Sequence, residues 1–228
     1  METDPNAPKP VFIYGAGALA RLLTASFKAT GTFETAGFIV DEGYKQGDVL
    51  LGLPVLGFDT FLDRYGGKGE RVLVSVGYRR MRARKSIFEK LKRAGCSLPN
   101  YFFAGARVNP ETEIGEGNVF CDGVIVDSFT RIGNNNFLRS NTYISHDTVV
   151  GDHNYFAPGC TFSGNCTIKD LCFFGVGSKV IDDLTIEDET FLSAGSTLLQ
   201  NSEPCSQYIG YPAKKIREHR ESGIIVKR

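Results

Sequence analysis

The sequence predicts a mixed fold in which a Rossmann-like α/β domain precedes a parallel β-helix with a short C-terminal cap. Three observations support this prediction. A strand, a glycine turn and an amphipathic helix open the chain, apolar residues recur at every sixth position in its second half, and that repeat stops before the C-terminus. Alternating strands and helices are typical of the first architecture, and a period of six is typical of the second.

The front domain is predicted from four segments. VFIYGAGALARLLTASFKATG is a strand, a turn and a helix that ends at Gly31. ETAGFIVDE and RVLVSVG are two further apolar strands, residues 78–94 form a basic helix, and LPNYFF is a last short strand. Roughly 95 residues therefore hold about four strands, which is half of a dinucleotide-binding fold.

The glycine turn has the spacing of a phosphate-binding loop. Gly15, Gly17 and Ala20 match the GxGxxG/A pattern, and Asp41 follows about twenty residues later. Such a turn presents helix N–H groups to a phosphate, and the acid can bind a ribose hydroxyl. A single nucleotide diphosphate fits half a fold better than NAD does. A tight turn without a ligand is the alternative explanation for Gly17.

A hexapeptide period dominates the second half of the chain. Every sixth residue from Ile114 is apolar for fifteen consecutive steps, which predicts triangular coils of 18 residues with one apolar side chain pointing inward per side. The inward residues are Ile114, Phe120, Val126, Ile132, Leu138, Ile144, Val150, Phe156, Phe162, Ile168, Phe174, Val180, Ile186, Leu192 and Leu198.

Two further patterns belong to the corners of these coils. One column at 18-residue spacing contains only the residue types that best tolerate positive φ, namely Gly123, Asn141, Gly159, Gly177 and Gly195. Small residues precede many inward positions by two places, and among them Cys160, Cys166 and Cys172 are predicted to pack inside corners.

Composition excludes several classes of protein. Lys plus Arg and Asp plus Glu both number 26, so net charge favours neither nucleic acid nor an anionic membrane as a partner. No apolar stretch is long enough for a membrane span or a signal peptide. The six cysteines show no CxxC spacing, which predicts reduced thiols and a cytoplasmic location.

The histidines provide the candidate chemistry. Of only three, His146 lies two residues after the inward Ile144 and directly before Asp147. Acyl transfer to an amine needs a base with a pKa near working pH, so His146 is the candidate base and Asp147 its orienting acid. A solvated corner histidine is the alternative. His153 is interpreted as a turn residue, and without a third histidine no metal site is expected.

From about residue 9 to residue 216 the chain resembles the bacterial nucleotide-sugar N-acetyltransferases of the bacillosamine, perosamine and viosamine pathways, with their sialic acid O-acetyltransferase-like relatives. The resemblance is carried by the glycine turn, the hexapeptide repeats, YISHDTVVGD and YIGYPAKK. It implies a left-handed β-helix, a homotrimer with acetyl-CoA between subunits, and a role in making sugars such as those of lipopolysaccharide O-antigen. The implied reaction acetylates the 4-amino group of a nucleotide-linked 4-amino-4,6-dideoxy sugar.

The resemblance also implies roles for individual residues. His146 would act as the base with Asp147, where the family often has Glu, and the amide of Gly164 would contact the thioester carbonyl. Tyr155 stands where some members carry a second histidine. Coenzyme contacts would include Gly164, Tyr155, Gly177, Gly195, Pro212, Ala213 and Lys214, the last three before a short basic helix. Contacts to the sugar nucleotide would be Tyr14, Gly15, Gly17, Asp41, Gly77 and Arg82.

The predicted boundaries are 1–9 for a disordered tail, 10–104 for the nucleotide-sugar-binding domain, 105–203 for the β-helix and 204–228 for the cap. Two other functions stay open. One is O-acetylation of a sialic-acid-like sugar, and the other is a non-catalytic nucleotide-binding trimer that uses the β-helix as a scaffold. The nucleotide base, the sugar stereochemistry and the length of the acyl group are not predicted.

Overall fold

A computed structural model of the protein describes residues 8–66 and 69–226. The chain divides into two compact units. The first comprises the residues up to Val76 together with Ser86–Pro99, and the second comprises Gly77–Lys85 and the residues from Asn100 onward. Of the predicted tail, residues 1–7 lie outside the described residues, and Lys9 already begins the first strand.

The first unit is a five-stranded sheet with helices. Its elements are β1 (Lys9–Tyr14), α1 (Ala18–Thr30), β2 (Phe33–Val40), a 3₁₀ helix (Glu42–Tyr44), β3 (Val49–Leu50), β4 (Leu53–Gly57), α2 (Phe58–Tyr65), β5 (Val72–Val74) and α3 (Met81–Arg93). The part of α3 up to Lys85 belongs to the second unit. The strand order is β3-β4-β2-β1-β5, with β4, β2, β1 and β5 parallel and β3 antiparallel to β4.

The strand order reverses at β1, which lies between β2 and β5. In open α/β sheets, ligands bind outside the carboxyl ends of the strands at such a reversal. Gly15 follows β1 there with φ 115°, and a Cβ on it would lie 2.5 Å from Ser75 Oγ, so this position requires glycine. Helix α1 ends at Gly31 in the left-handed conformation, as predicted.

The second unit contains a parallel β-helix of two-residue strands. In chain order these are β6 (Tyr101–Phe102), β7 (Arg107–Val108), β8 (Glu113–Ile114), β9 (Val119–Phe120), β10 (Ile125–Val126), β11 (Arg131–Ile132), β12 (Phe137–Leu138), β13 (Tyr143–Ile144), β14 (Val149–Val150), β15 (Tyr155–Phe156), β16 (Thr161–Phe162), β17 (Thr167–Ile168), β18 (Phe173–Phe174), β19 (Lys179–Val180), β20 (Thr185–Ile186), β21 (Phe191–Leu192) and β22 (Thr197–Leu198). Each coil contributes one strand to each of three sheets. We call the sheet with β15 the first face, that with β13 the second face and that with β14 the third face.

The 18-residue winding is visible in the strand register. Tyr143 pairs with Thr161, and Val149 pairs with Thr167. Fourteen of the fifteen predicted inward residues are buried, and Ile114 in the first coil is half-buried. The hexapeptide prediction is therefore confirmed.

Replacing the buried Phe174 with alanine should lower the free energy of unfolding by about 3–5 kcal/mol, because its ring fills the coil interior. Its centroid lies 5.0 Å from that of Phe156 and 4.7 Å from that of Phe162. Urea unfolding at a fixed protein concentration measures the change. The matched control is Phe129→Ala, since that side chain is exposed. Equal losses in both variants would contradict the prediction.

Positive φ angles occur at all three corners of the coils. The predicted column has φ between 61° and 73° at Gly123, Asn141, Gly159, Gly177 and Gly195, which confirms it. Two other columns also have positive φ but consist mainly of residues that do not favour it. One contains Phe129, Asp147, Asn165 and Asp183, and the other contains Asn135, His153, Leu171 and Glu189. His153 is thus a turn residue, as predicted.

Asparagine side chains join successive coils at one corner. Asn118 Oδ1 accepts the N–H of Asn136 at 2.8 Å, and Asn136 Oδ1 accepts the N–H of Asn154 at 2.9 Å. Their Nδ2 groups donate to the carbonyls of Gly133 and Gly151. This ladder satisfies buried polar groups that the short strands leave without a partner.

The C-terminal cap corrects one prediction, because the expected basic helix is a β-hairpin. Its strands are β23 (Ser206–Ile209), which pairs with β21, and β24 (Lys214–Glu218), which pairs antiparallel with β23. The segment KKIREHRE has a single large apolar residue and no helical period, whereas the last coil offers an open strand edge. At the other end, β6 pairs with β9, so the strand predicted to end the front domain begins the β-helix.

No helix within residues 8–66 and 69–226 is long and apolar enough to cross a membrane. All six cysteines are free, and five of them are buried. Cys160, Cys166 and Cys172 lie inside the coils, as predicted. Burial raises the pKa of Cys160 to about 11, which makes its thiol unreactive.

Candidate active site

His146 lies at the corner where the second face turns into the third, just after β13. Its Nδ1 is 2.8 Å from Asp147 Oδ2, and the two side chains are 62% and 56% exposed. Asp147 has φ 56°, so the turn itself brings its carboxylate to the ring. A carboxylate at Nδ1 favours the tautomer that carries the proton there, which leaves Nε2 free to accept a proton.

Gly164 stacks on His146 one coil later. A Cβ at Gly164 would lie 2.7 Å from His146 Cε1 and 2.9 Å from Nε2, so only glycine leaves room for the ring. The Asn165 N–H donates to the His146 carbonyl at 3.0 Å. Among the described residues the Gly164 N–H has no acceptor, and it is available to a ligand oxygen beside the ring.

Replacing Asp147 with asparagine should lower kcat about 10- to 100-fold and leave KM nearly unchanged, because an amide cannot stabilise the imidazolium that forms during proton transfer. Steady-state kinetics measures the effect. Asp183→Asn, two coils later in the same column of positive φ, is the matched control. An unchanged kcat in Asp147→Asn would show that the carboxylate only decorates the turn.

Tyr155 lies on the first face, away from the corner of His146 in the same chain. Its buried ring stacks on those of Phe137 and Phe173, and its hydroxyl accepts a hydrogen bond from Arg139 at 3.2 Å. Burial raises the pKa of Tyr155. With Arg139 and Tyr78, Tyr155 lines an otherwise apolar cavity of about 330 Å³.

Gly177 and Gly195 lie at the corner between the first and second faces. Their N–H groups donate to the carbonyls of Pro158 and Val176, so neither amide is free. A Cβ at either position would meet nothing within 4 Å, which leaves open space beside the backbone. Their neighbours Val176 and Ala194 line the cavity that contains Tyr155.

The predicted coenzyme contacts of the cap lie at the turn between β23 and β24. Ala213 is buried, and its N–H donates to the Thr197 carbonyl at 2.8 Å. Pro212 is exposed, and the exposed Lys214 begins β24. This turn therefore presents Pro212 and Lys214 to solvent and uses Ala213 to hold the cap on the last coil.

In the first unit, Tyr14 and Asp41 form a cluster with Lys90. The Tyr14 hydroxyl donates to Asp41 Oδ1 at 2.7 Å, and Lys90 Nζ lies 2.6 Å from that hydroxyl and 2.5 Å from the same Oδ1. Burial and the Asp41 carboxylate raise the pKa of Tyr14. Partial burial opposes ionisation of Asp41, but hydrogen bonds from Lys90 and Tyr14 lower its pKa overall. The basic character of α3 is the one sequence signal for Lys90.

Gly17 is the N-cap of α1, with φ −97°, so its conformation does not demand glycine. A Cβ there would meet nothing within 4 Å, and no side chain caps the helix. The first N–H groups of α1 therefore face open space, which a phosphate could fill. Turn geometry alone does not explain Gly17.

Gly77 and Arg82 lie in the second unit. Arg82 Nε is 2.9 Å from Glu189 Oε1, and its two other nitrogens donate to the carbonyls of Glu221 and Arg220. All three of these bonds lie within the second unit, so the structure does not show Arg82 in the Tyr14 cluster. Within the described ranges, no three His, Cys, Asp or Glu side chains are arranged to hold a metal ion.

Comparison with known proteins agrees with both units. The PglD N-terminal domain matches residues 10–91, and the bacterial transferase hexapeptide (six repeats) matches residues 129–164. No curated protein sequence gives a significant match.

Several solved structures match nearly the whole chain. A histidine variant of perosamine N-acetyltransferase from Caulobacter crescentus, in complex with CoA and GDP-perosamine, has a TM-score of 0.83 and 27% identity over 92% of this chain and 97% of that chain. The acetyltransferase domain of PglB from Neisseria gonorrhoeae with acetyl coenzyme A has a TM-score of 0.80 and 23% identity over 92% and 100%. WeeI from Acinetobacter baumannii has a TM-score of 0.78 and 24% identity over 91% and 100%.

These findings define the chain as a hexapeptide-repeat acyltransferase built on a left-handed parallel β-helix. Its PglD-type N-terminal domain and its match to perosamine N-acetyltransferase place it among the nucleotide-sugar N-acetyltransferases of that class. The resemblance predicted from the sequence is confirmed.

Proposed function

We propose that the protein transfers an acetyl group from acetyl-CoA to the 4-amino group of a nucleotide-linked 4-amino-4,6-dideoxy sugar. The observation that carries the proposal is the His146–Asp147 pair stacked against Gly164, whose N–H has no acceptor among the described residues. The structure at 27% identity supports the substrates, because it is an N-acetyltransferase in complex with CoA and a nucleotide-linked amino sugar.

The proposed mechanism is direct attack. The amine nitrogen forms a bond to the thioester carbonyl carbon while His146 Nε2 accepts an amine proton, and Asp147 stabilises the resulting imidazolium. The Gly164 N–H donates to the developing oxyanion. The C–S bond then breaks, and the sulfur leaves as the thiol of CoA with the proton from His146.

The first unit would hold the nucleotide. Gly15 and Gly17 open space for a diphosphate at the N-terminus of α1, and Lys90 adds a cation to the Tyr14–Asp41 pair. Binding energy from this distant contact would orient the amine at His146. Gly77 and Arg82 remain proposed substrate contacts.

The coenzyme would bind between subunits of a homotrimer. Proposed contacts are Tyr155, Gly164, Gly177, Gly195, Pro212, Ala213 and Lys214. A trimer would bring residues on the first face of one copy to the His146 corner of the next, which a single chain does not do. Free cysteines and the substrate class favour a cytoplasmic reaction in the synthesis of cell-surface sugars such as O-antigen.

A panel of donors and acceptors tests the function. UDP-, GDP- and dTDP-linked 4-amino sugars are each incubated with acetyl-CoA or a longer acyl-CoA, and mass spectrometry identifies the products. The expected product is an N-acetylated sugar from one nucleotide series. Products only from hydroxyl acceptors would replace the proposal with O-acetylation. Binding of NAD without any binding of CoA would indicate a non-catalytic protein.

A further inference from the structure

A polar cluster that the mechanism above does not use lies on the second face beside His146. The Tyr143 hydroxyl donates to Asp127 Oδ2 at 2.5 Å and lies 3.4 Å from Ser145 Oγ. Tyr143 and Ser145 belong to the coil of His146, and Asp127 belongs to the coil beneath it. The Asp147 N–H donates to the carbonyl of Ser128, the residue after Asp127, so the cluster and the His146 pair share one corner.

The charge of Asp127 is not balanced by the protein. Among the described residues, its carboxylate has no ion-pair partner, and Tyr143 is a neutral donor to one of its oxygens. The hydrogen bond to Asp127 raises the pKa of Tyr143, which keeps that hydroxyl protonated. The second carboxylate oxygen of this half-buried group remains available, and a cation or an N–H donor would satisfy it best.

We infer that Asp127 binds the amino group of the acceptor sugar and makes the site select an amine over a hydroxyl. The inference rests on the proposed function and names what decides its acceptor. An amine has at least two protons, so it can give one to His146 and still donate an N–H to Asp127. A hydroxyl has one proton, which His146 must take, and Asp127 would then face an oxygen lone pair.

Tyr143 and Ser145 are positioning residues in this scheme. The Tyr143 hydroxyl holds one carboxylate oxygen of Asp127, so the other oxygen keeps a fixed direction. The buried Ser145 fixes the strand that carries both Tyr143 and His146, through its N–H bond to the Phe162 carbonyl at 3.1 Å.

Calorimetric titration tests the inference without requiring turnover. Wild-type protein and Asp127→Asn are titrated with each UDP-, GDP- and dTDP-linked 4-amino sugar and with its 4-hydroxy counterpart. We expect the wild type to bind the matching amino sugar about 10- to 100-fold more tightly than the hydroxy sugar, as for loss of a charged hydrogen bond. Asp127→Asn should remove this preference by weakening amine binding alone, and Tyr143→Phe should reduce it partly.

Asp183→Asn is the matched control, because Asp183 also accepts a side-chain hydrogen bond at this corner, from Asn165 at 2.6 Å. It should leave both affinities unchanged. Equal loss for amine and hydroxyl in Asp127→Asn would show a structural role and overturn the inference, and so would unchanged amine binding. A wild type that acetylates no sugar would defeat the proposed function, whereas the comparison of affinities would still decide the role of Asp127.

Discussion

Replacing His146 with alanine is expected to lower kcat about 10²- to 10⁴-fold, which corresponds to about 3–5 kcal/mol of transition-state stabilisation. The imidazole is the one group at this corner that can take a proton from the attacking amine at neutral pH without a large pKa change. Affinity for the sugar nucleotide should change little, because the nucleotide contacts lie in the first unit. Steady-state kinetics with the sugar identified by the panel measures both quantities.

The fold should survive this substitution. The His146 side chain is 62% exposed, so its removal leaves no buried cavity. Thermal unfolding and light scattering of the variant should therefore match the wild type. Turnover near the wild-type rate in a correctly assembled variant would remove His146 from the mechanism and favour the solvated-corner alternative.

Replacing Gly164 with alanine should lower kcat/KM about 100-fold while leaving thermal stability nearly unchanged. The new Cβ would lie 2.7 Å from His146 Cε1, closer than carbon atoms tolerate. Because the ring is an exposed side chain, it can swing outward, and the strain does not pass to the backbone. Activity is then lost because the base leaves its position, and kinetics with a parallel melting curve measures this.

The double variant separates this explanation from a general packing defect. If Gly164→Ala acts only by displacing His146, the His146→Ala Gly164→Ala protein should be as active as His146→Ala alone, since both changes remove one function. Losses that multiply would mean that the Gly164 position contributes independently. A large fall in melting temperature for Gly164→Ala would mean that the backbone moves instead.

The coiled architecture could be predicted because every inward position of a β-helix has the same surroundings. A short repeat therefore appears in the sequence from Ile114 to Leu198. One corner could be predicted because Gly and Asn mark it. The other two could not, because the coil imposes positive φ on residues such as Phe129 and Leu171, whose own preference is different.

Part of the candidate site could also be predicted. The spacing of 18 residues is enough to stack His146 and Gly164, and the structure shows that contact. Lys90 was missed because its bonds to Tyr14 and Asp41 join parts of the chain far apart in sequence. The hairpin cap was missed because the open edge of the last coil, rather than local helix propensity, decides its conformation.

The fixed winding length has a consequence for how this sequence can vary in evolution. One additional residue within 147–163, unless it bulges out of the coil, would set Ser163 above His146 in place of Gly164 and shift every later side chain by one place. A duplication of 18 residues beyond this point would instead lengthen the prism and leave the pair intact. Insertions and deletions should therefore be tolerated here as whole turns or as loops at a vertex, much as a coding sequence tolerates changes in multiples of three.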